Sequence, residues 1–374
     1  MSFGQTMKKL RRNADMTQEQ LAEMLSISPQ AVSRWETDAA MPDISILPAI
    51  CNIFNVSADC LLGIDTERKD EKINAVSDNA HSYSTRGYYG EARKILEDGL
   101  REFPNSYILM SDLMFVSYWQ ATRGNDHTKE ECDNFKNQAI ELGEKILESC
   151  TVDHIRHSAI QILCFAYKEI GKKDKAKELA KTMPHMPVSR EMLMSRVTEG
   201  TARYEARQLE IYDLVQFLGN CLGGGLNTKL DSGEWAYTEE EIAAIRDKRI
   251  AFYDLIFENG DLGFYHSGVS GAHEAQAKYY AKLQNAEKVL HHLKKAAEHA
   301  IKFLTALKEH ATHTSLLFKG YSFGDFSTWN TSNDALELLE NMKNSAYDFI
   351  RENKAFKNIE EELTPYAEKW QVET

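Results

Sequence analysis

The sequence predicts an all-α protein, with a compact helical module ahead of a long array of helical pairs. Three observations carry this expectation. Apolar residues recur at helical spacing along most of the chain. Only 7 prolines interrupt its 374 residues. A packing motif that begins near residue 80 returns twice further on.

A formal charge of −13 and a hydrophobic content of 43% suit a globular chain long enough for at least two domains. No stretch of eighteen apolar residues argues for a membrane span. MSFGQTMKKLRRN is basic, but no apolar run comes after it, so it does not read as a secretory signal. The six cysteines (Cys51, Cys60, Cys132, Cys150, Cys164, Cys221) form no CxxC pair and have no histidine at ligand spacing. Most lie among aliphatic residues, as buried thiols do in a reducing cytoplasm. Neither a metal site nor a disulfide framework is expected, and no cofactor.

The module starts to resolve at Thr17 to Glu36, TQEQLAEMLSISPQAVSRWE. Thr17 with Gln20 forms a capping box that starts one helix. Ser28 caps a second helix whose first turn holds Pro29, where a missing N–H costs nothing. Leu21, Leu25, Ile27, Val32 and Trp35 bury together, and small Ala22 lets the second helix cross closely. Gln30, Ser33 and Arg34 are left facing outward. Two short helices, a tight turn and a polar outer face make a helix-turn-helix.

FGQTMKKLRRNADMTQEQLAEMLSISPQAVSRWE, then MPDISILPAICNIFNVSADCLLG, resembles the N-terminal domain of XRE-family (Cro/repressor-like) bacterial regulators across residues 3–63. The resemblance implies a five-helix DNA-binding domain whose third helix, about Ser28 to Thr37, enters the major groove of an operator. By position, Gln18 would contact phosphate, and Gln30, Ser33 and Arg34 would face bases or the adjacent backbone. The chemistry agrees, since Gln can pair bidentately with adenine and Arg with guanine or phosphate. Lys8, Arg11 and Arg12 would supply positioning contacts. Residues 1–65 carry five basic and eight acidic side chains, so any polyanion must meet a localised basic face. Where family members have glycine, this chain has Ser26 at the tight turn and Asp38 after Trp-Glu. Ala39 stands where a cation is common, which implies modest affinity and binding as a dimer over two half-sites.

IDTERKDEK (Ile64 to Lys72) has no apolar face and reads as a linker, dividing a domain at 1–65, a hinge at 66–72 and a repeat domain at 73–374. In the repeats a small residue, a Tyr three later and a packing residue nine after that recur as Ala80/Tyr83/Ala92, Cys164/Tyr167/Ala176 and Ala277/Tyr280/Val289. Each continues to Leu96/Gly99, Ala180/Met183 or Leu293/Ala296. This resembles tetratricopeptide-type hairpins stacked as an α-solenoid.

Three further stretches invite a chemical reading. Gly223 to Gly225 lack the strand and Gly-Lys-Ser/Thr of a phosphate loop and read as a helix connection, with Thr238 and Glu241 capping the next helix. The histidines at 291, 292, 299, 310 and 313 read as spread around helical surface. Tyr321, Phe323, Phe326 and Trp329 crowd one loop, which suits anchoring onto the last helices or a lid over a ligand. No nucleophile–base or paired-carboxylate arrangement assembles, so no catalytic residue is assigned and no enzyme is expected.

The domain order resembles peptide-responsive regulators of the RRNPP type. That resemblance implies transcription regulation in the cytoplasm, on the nucleoid, with a signalling peptide or small ligand in the repeat groove. Asn74, Ser77, His81, Gln161, Lys168 and Lys278 are the polar first-helix positions that would face it. Homodimerisation is expected, either through Leu336, Leu339, Met342, Ala346 and Phe349, an apolar stripe between Asn333 and Asn353, or elsewhere if that stripe is buried within the repeat domain's own last hairpin. The other reading is a helical-repeat adaptor whose helix-turn-helix is only a tether.

Overall fold

The computed structural model describes residues 2–62, 66–124, 127–308, 312–322 and 327–371, with backbone alone for 66, 67, 307 and 308. Among these residues the chain is helical with no strand, only isolated bridges such as Lys229 with Trp235. Residues 1–78 with 99–109 form one compact unit, and residues 79–98 with 110–374 form a second.

In the first unit, α1 (Phe3–Asn13), α2 (Gln18–Met24), α3 (Pro29–Glu36), α4 (Leu47–Phe54) and α5 (Ala58–Leu62) are the five expected helices. Phe3, Met7, Leu21, Ala22, Val32, Trp35, Ile50 and Leu61 make their core. Burial of such side chains is worth about 1.5–3 kcal/mol each relative to exposure. Ile64 and Asp65 of the expected linker lie outside the described residues. Thr66 to Lys72 form the first turns of α6 (Thr66–Ser84), so the expected hinge is helical. Gly99, in α7 (Tyr89–Glu102), is so close to α6 that a Cβ would lie 2.7 Å from Val76 Cγ1.

The second unit includes most of α8 (Tyr107–Arg123), then α9 (Lys129–Ser149), α10 (Asp153–Glu169) and α11 (Lys173–Ala180), with α10 packed between α9 and α11. Tyr167 is 1% exposed, and its hydroxyl donates to Glu144 Oε1 at 2.5 Å across α10 and α9. Ala176 is buried as expected, but Ala180 is exposed, because α11 ends there and presents no further turn to a neighbour.

Next come α12 (Arg190–Val197), α13 (Gly200–Gly223), α14 (Glu239–Ile256), α15 (Tyr265–Lys282) and α16 (Ala286–Lys308). Gly219 lets α13 approach α14 until a Cβ would stand 1.9 Å from Tyr253 Oη. Thr238 and Glu241 form the expected capping box. Ala277, Val289, Leu293 and Ala296 are all fully buried between α15 and α16, as the third repeat copy predicts. These helices, with α17 (Asp334–Met342) and α18 (Lys354–Leu363), share one core.

Between Asn333 and Asn353, α17 stops at Met342 and a 3-10 stretch runs from Ser345 to Ile350. Of the apolar stripe there, Met342 is fully buried and Leu339 packs on the same core, while Ala346 and Phe349 are exposed. The histidines are not all surface residues. His266 and His273 of α15 are buried, and their Nδ1 atoms lie 2.9 Å from those of His299 and His292 on α16. His313 is 1% exposed, and His310 lies outside the described residues. Only Cys150 is buried, while Cys60 and Cys221 are exposed, and all six thiols are free. Tyr321 packs beside Tyr212 and Trp329 beside Phe115, with ring centroids 5.4 Å apart in each pair. Phe323 and Phe326 lie outside the described residues.

Candidate nucleic-acid interface

The helix-turn-helix is built by its caps. Thr17 accepts from the Gln20 N–H at 3.2 Å, and Gln20 returns the bond to the Thr17 N–H at 2.8 Å. Ser28 accepts from the Ala31 N–H at 3.3 Å and starts α3 with Pro29 in its first turn. Between them Ser26 takes φ +55°, and beyond α3 Asp38 takes φ +57°. Both are left-handed conformations in which glycine is least strained.

Asp38 has a compensating role. Its carboxylate accepts from the Ser2 hydroxyl at 2.6 Å and the Gly4 N–H at 2.8 Å, so it caps α1 from across the domain. These two bonds hold its carboxyl below the usual range. Gly4 permits the approach, since a Cβ there would lie 2.4 Å from the Trp35 carbonyl oxygen.

Behind α3 lies a buried ion pair. Arg11 donates from Nε to Glu36 Oε1 at 2.5 Å and from Nη2 to Oε2 at 3.0 Å, and from Nη1 to the Met16 carbonyl at 2.6 Å. Gln18 Nε2 donates to Glu36 Oε2 at 2.8 Å. Burial pushes the Glu36 carboxyl up, but the bonds from Arg11 and Gln18 outweigh it and hold the group below its ordinary value. The bond to Glu36 raises Arg11 in turn. Bidentate geometry of this kind ties α1, α2 and α3 together.

This corrects one expected contact. Arg11 is 9% exposed and committed to Glu36 and Met16, so it is not a phosphate contact but the strut that positions α3. Lys8 and Arg12 lie exposed on α1, and Gln30 and Arg34 exposed on α3. Pro29, Ser33 and Gln18 are half-buried, Gln18 with its amide oriented by Glu36. The ion-pair role of Glu36 and the capping of α1 by Asp38 escaped the sequence reading. An Arg–Glu pair separated by 25 positions leaves no local pattern.

A helix-turn-helix family model matches residues 7–59. The HTH-type transcriptional regulator ImmR of Bacillus subtilis is 36% identical over 77 residues, 21% of this chain and 61% of that protein. YqaE of the same organism, an uncharacterized HTH-type transcriptional regulator, is 33% identical over 110 residues, 29% of this chain and 76% of its own length. The chain belongs to the XRE-type helix-turn-helix transcriptional regulators. It spans only about three fifths of ImmR, and both matches cover less than a third of this chain. The structure of Bacillus thuringiensis PlcR with the peptide PapR7 and DNA aligns over 82% of this chain and 96% of that one, at 18% identity and TM-score 0.30. That overlap is too slight to define the fold.

Outside the family domain, the expected groove residues fall in both units. Asn74 and Ser77 belong to the first unit, while His81, Gln161, Lys168 and Lys278 belong to the second. Gln161, Lys168 and His81 are exposed, and Ser77 is half-buried. Lys278 is exposed too, but its ammonium lies 2.5 Å from Glu274 Oε1, four residues earlier on α15. His81 meets the Trp329 ring edge-on at 6.5 Å. No helix among the described residues is long and apolar enough to cross a membrane.

Proposed function

We propose that the chain is a sequence-specific DNA-binding transcriptional regulator that acts as a homodimer in the cytoplasm, bound to operators on the nucleoid. Gln30, Ser33 and Arg34 read base edges in the major groove, while Lys8, Arg12 and the Gln18 end of α2 hold phosphates. The observation that carries this reading is the buried Arg11–Glu36–Gln18 network behind α3. It fixes a helix whose outer face offers three hydrogen-bonding side chains with no intramolecular task to explain them.

Dimerisation follows from charge. With Arg11 consumed by Glu36, the cations left to residues 1–65 are Lys8, Lys9, Arg12 and Arg34. A single domain then neutralises few phosphates, and two domains spaced by one helical turn of DNA, about 34 Å, roughly double the contacts. The repeat domain holds the pair and senses an effector, for which the domain order suggests a signalling peptide or small ligand. Selection of bound sequences from random DNA by the full chain tests the reading. A palindromic motif supports it, and a pool with no enriched motif refutes it.

A further inference from the structure

The α6–α7 turn is clasped by the segment that leads into α17. The Thr328 and Trp329 N–H groups donate to the Thr85 carbonyl at 2.9 and 2.8 Å. The Tyr89 hydroxyl donates to the Trp329 carbonyl at 2.9 Å, and the Tyr88 hydroxyl to the Trp370 carbonyl at 2.6 Å. Trp329 is held at φ +58°, a costly conformation for an aromatic residue that persists only where surroundings impose it. Beside this clasp lies a cavity of about 370 Å³, within the range of small-molecule sites. Among the described residues that line it, none is an expected groove residue.

Its lining carries groups of both signs. The first turn of α7, Tyr89 to Glu91, brings the positive end of a fourteen-residue helix to the cavity. Arg123 joins it, with its guanidinium carbon 4.4 Å from the Trp119 ring centroid. Glu337 also lines the cavity, and its carboxyl is pushed up to about 7 by burial and by nearby Asp334 and Glu274. Gln120 is 4% exposed, and its Oε1 has no hydrogen-bond partner, while Nε2 faces His127 Nε2 at 3.4 Å. Whichever way that amide is turned, one of its polar atoms stays unmatched, which native structures rarely leave unexplained.

We propose that this cavity binds a free α-amino acid, its carboxylate on Arg123 and the α7 N-terminus, its ammonium on Glu337 and the Gln120 amide. A simple anion would sit against Glu337 and leave Gln120 Oε1 unmatched, and a simple amine would sit against Arg123 and the helix dipole. Only a ligand with both charges matches both sets, and the volume suits one amino acid. The proposal rests on the sensing role given to the repeat domain above and supplies it with a ligand class. Occupancy would tighten the clasp between the α6–α7 turn and α17, because the ligand bonds to both.

The test is calorimetry and thermal unfolding of the full chain with the twenty free L-amino acids, first mixed and then singly, at millimolar concentration. At least one should bind and raise Tm, while its decarboxylated amine and its deaminated acid do not. Glu337→Gln and Arg123→Met should each weaken binding by about tenfold or more. Gln120→Met should also weaken binding without lowering the Tm of the free protein, since an orphaned buried amide is replaced by an apolar group of similar length. No binding by any amino acid, equal binding by all three variants, or equal binding of the amine alone would each overturn the site. An operator-selecting chain that binds no amino acid overturns this site and leaves the regulator reading intact. A chain that binds an amino acid but selects no operator does the reverse.

Discussion

At Glu36 a carboxylate only 6% exposed accepts two hydrogen bonds from Arg11 and one from Gln18. Removing its charge strands the Arg11 guanidinium in the interior, so Glu36→Gln should destabilise the N-terminal domain by about 3–5 kcal/mol, read by chemical denaturation. The same group sets an acid limit. Its folded-state carboxyl titrates below the unfolded value of about 4.3, so its stabilisation is complete above that pH and is lost as pH falls through the lower folded value. Wild-type stability should therefore fall steeply below about pH 4, and Glu36→Gln should flatten that fall. A variant with wild-type stability and an unchanged acid limb would remove the strut from the account. Asp38 makes a second case: Asp38→Asn keeps an acceptor and tolerates φ +57°, so it should lower Tm less than Asp38→Ala. The caps at Thr17 and Ser28 were legible in the sequence because a cap is a pattern of neighbours. The role of Arg11 was not, because its partner lies on another helix and a surface cation looks the same in sequence as a buried one.

Helix pairing shows the same boundary between what local pattern reveals and what register conceals. The third repeat copy predicted Ala277, Val289, Leu293 and Ala296 as core, and all four are fully buried. In the sequence His292 and His299 look like surface residues, because their partners His273 and His266 lie on another helix. Each pair is seven residues apart on its own helix, and the two rows meet only when α15 and α16 pack in register. Among the glycines, the run at 223–225 stands out in the sequence, while the one packed most tightly is Gly219 beneath Tyr253. Tyr253 is 2% exposed and has little room to withdraw. Gly219→Ala should force α13 from α14 and cost about 1–3 kcal/mol, measured as a loss of Tm for the full chain. An unchanged Tm would mean that Tyr253 swings clear and the close approach is not needed.

For the whole molecule the question is how a domain with a net negative balance holds DNA. On the proposed reading, four cations beyond the Arg11 pair neutralise few phosphates, and the repeat domain would raise the local concentration of a second reading head. Truncation after residue 65 keeps the helical core from Phe3 to Leu61, yet should cost at least about tenfold in operator affinity. Equal affinity for the truncated and full chains, with a monomer in light scattering, would remove the dimer from the proposal. The division of labour within the reading head is tested most directly by binding Gln30→Ala and Arg12→Ala to the selected operator, and to copies altered at single base pairs, across a series of salt concentrations. Gln30→Ala should lose about 1–3 kcal/mol on the operator and relax one base position, while Arg12→Ala weakens every duplex alike and lowers the salt slope by about one. Equal losses for both variants, with base preference unchanged in each, would contradict the placing of α3 in the major groove.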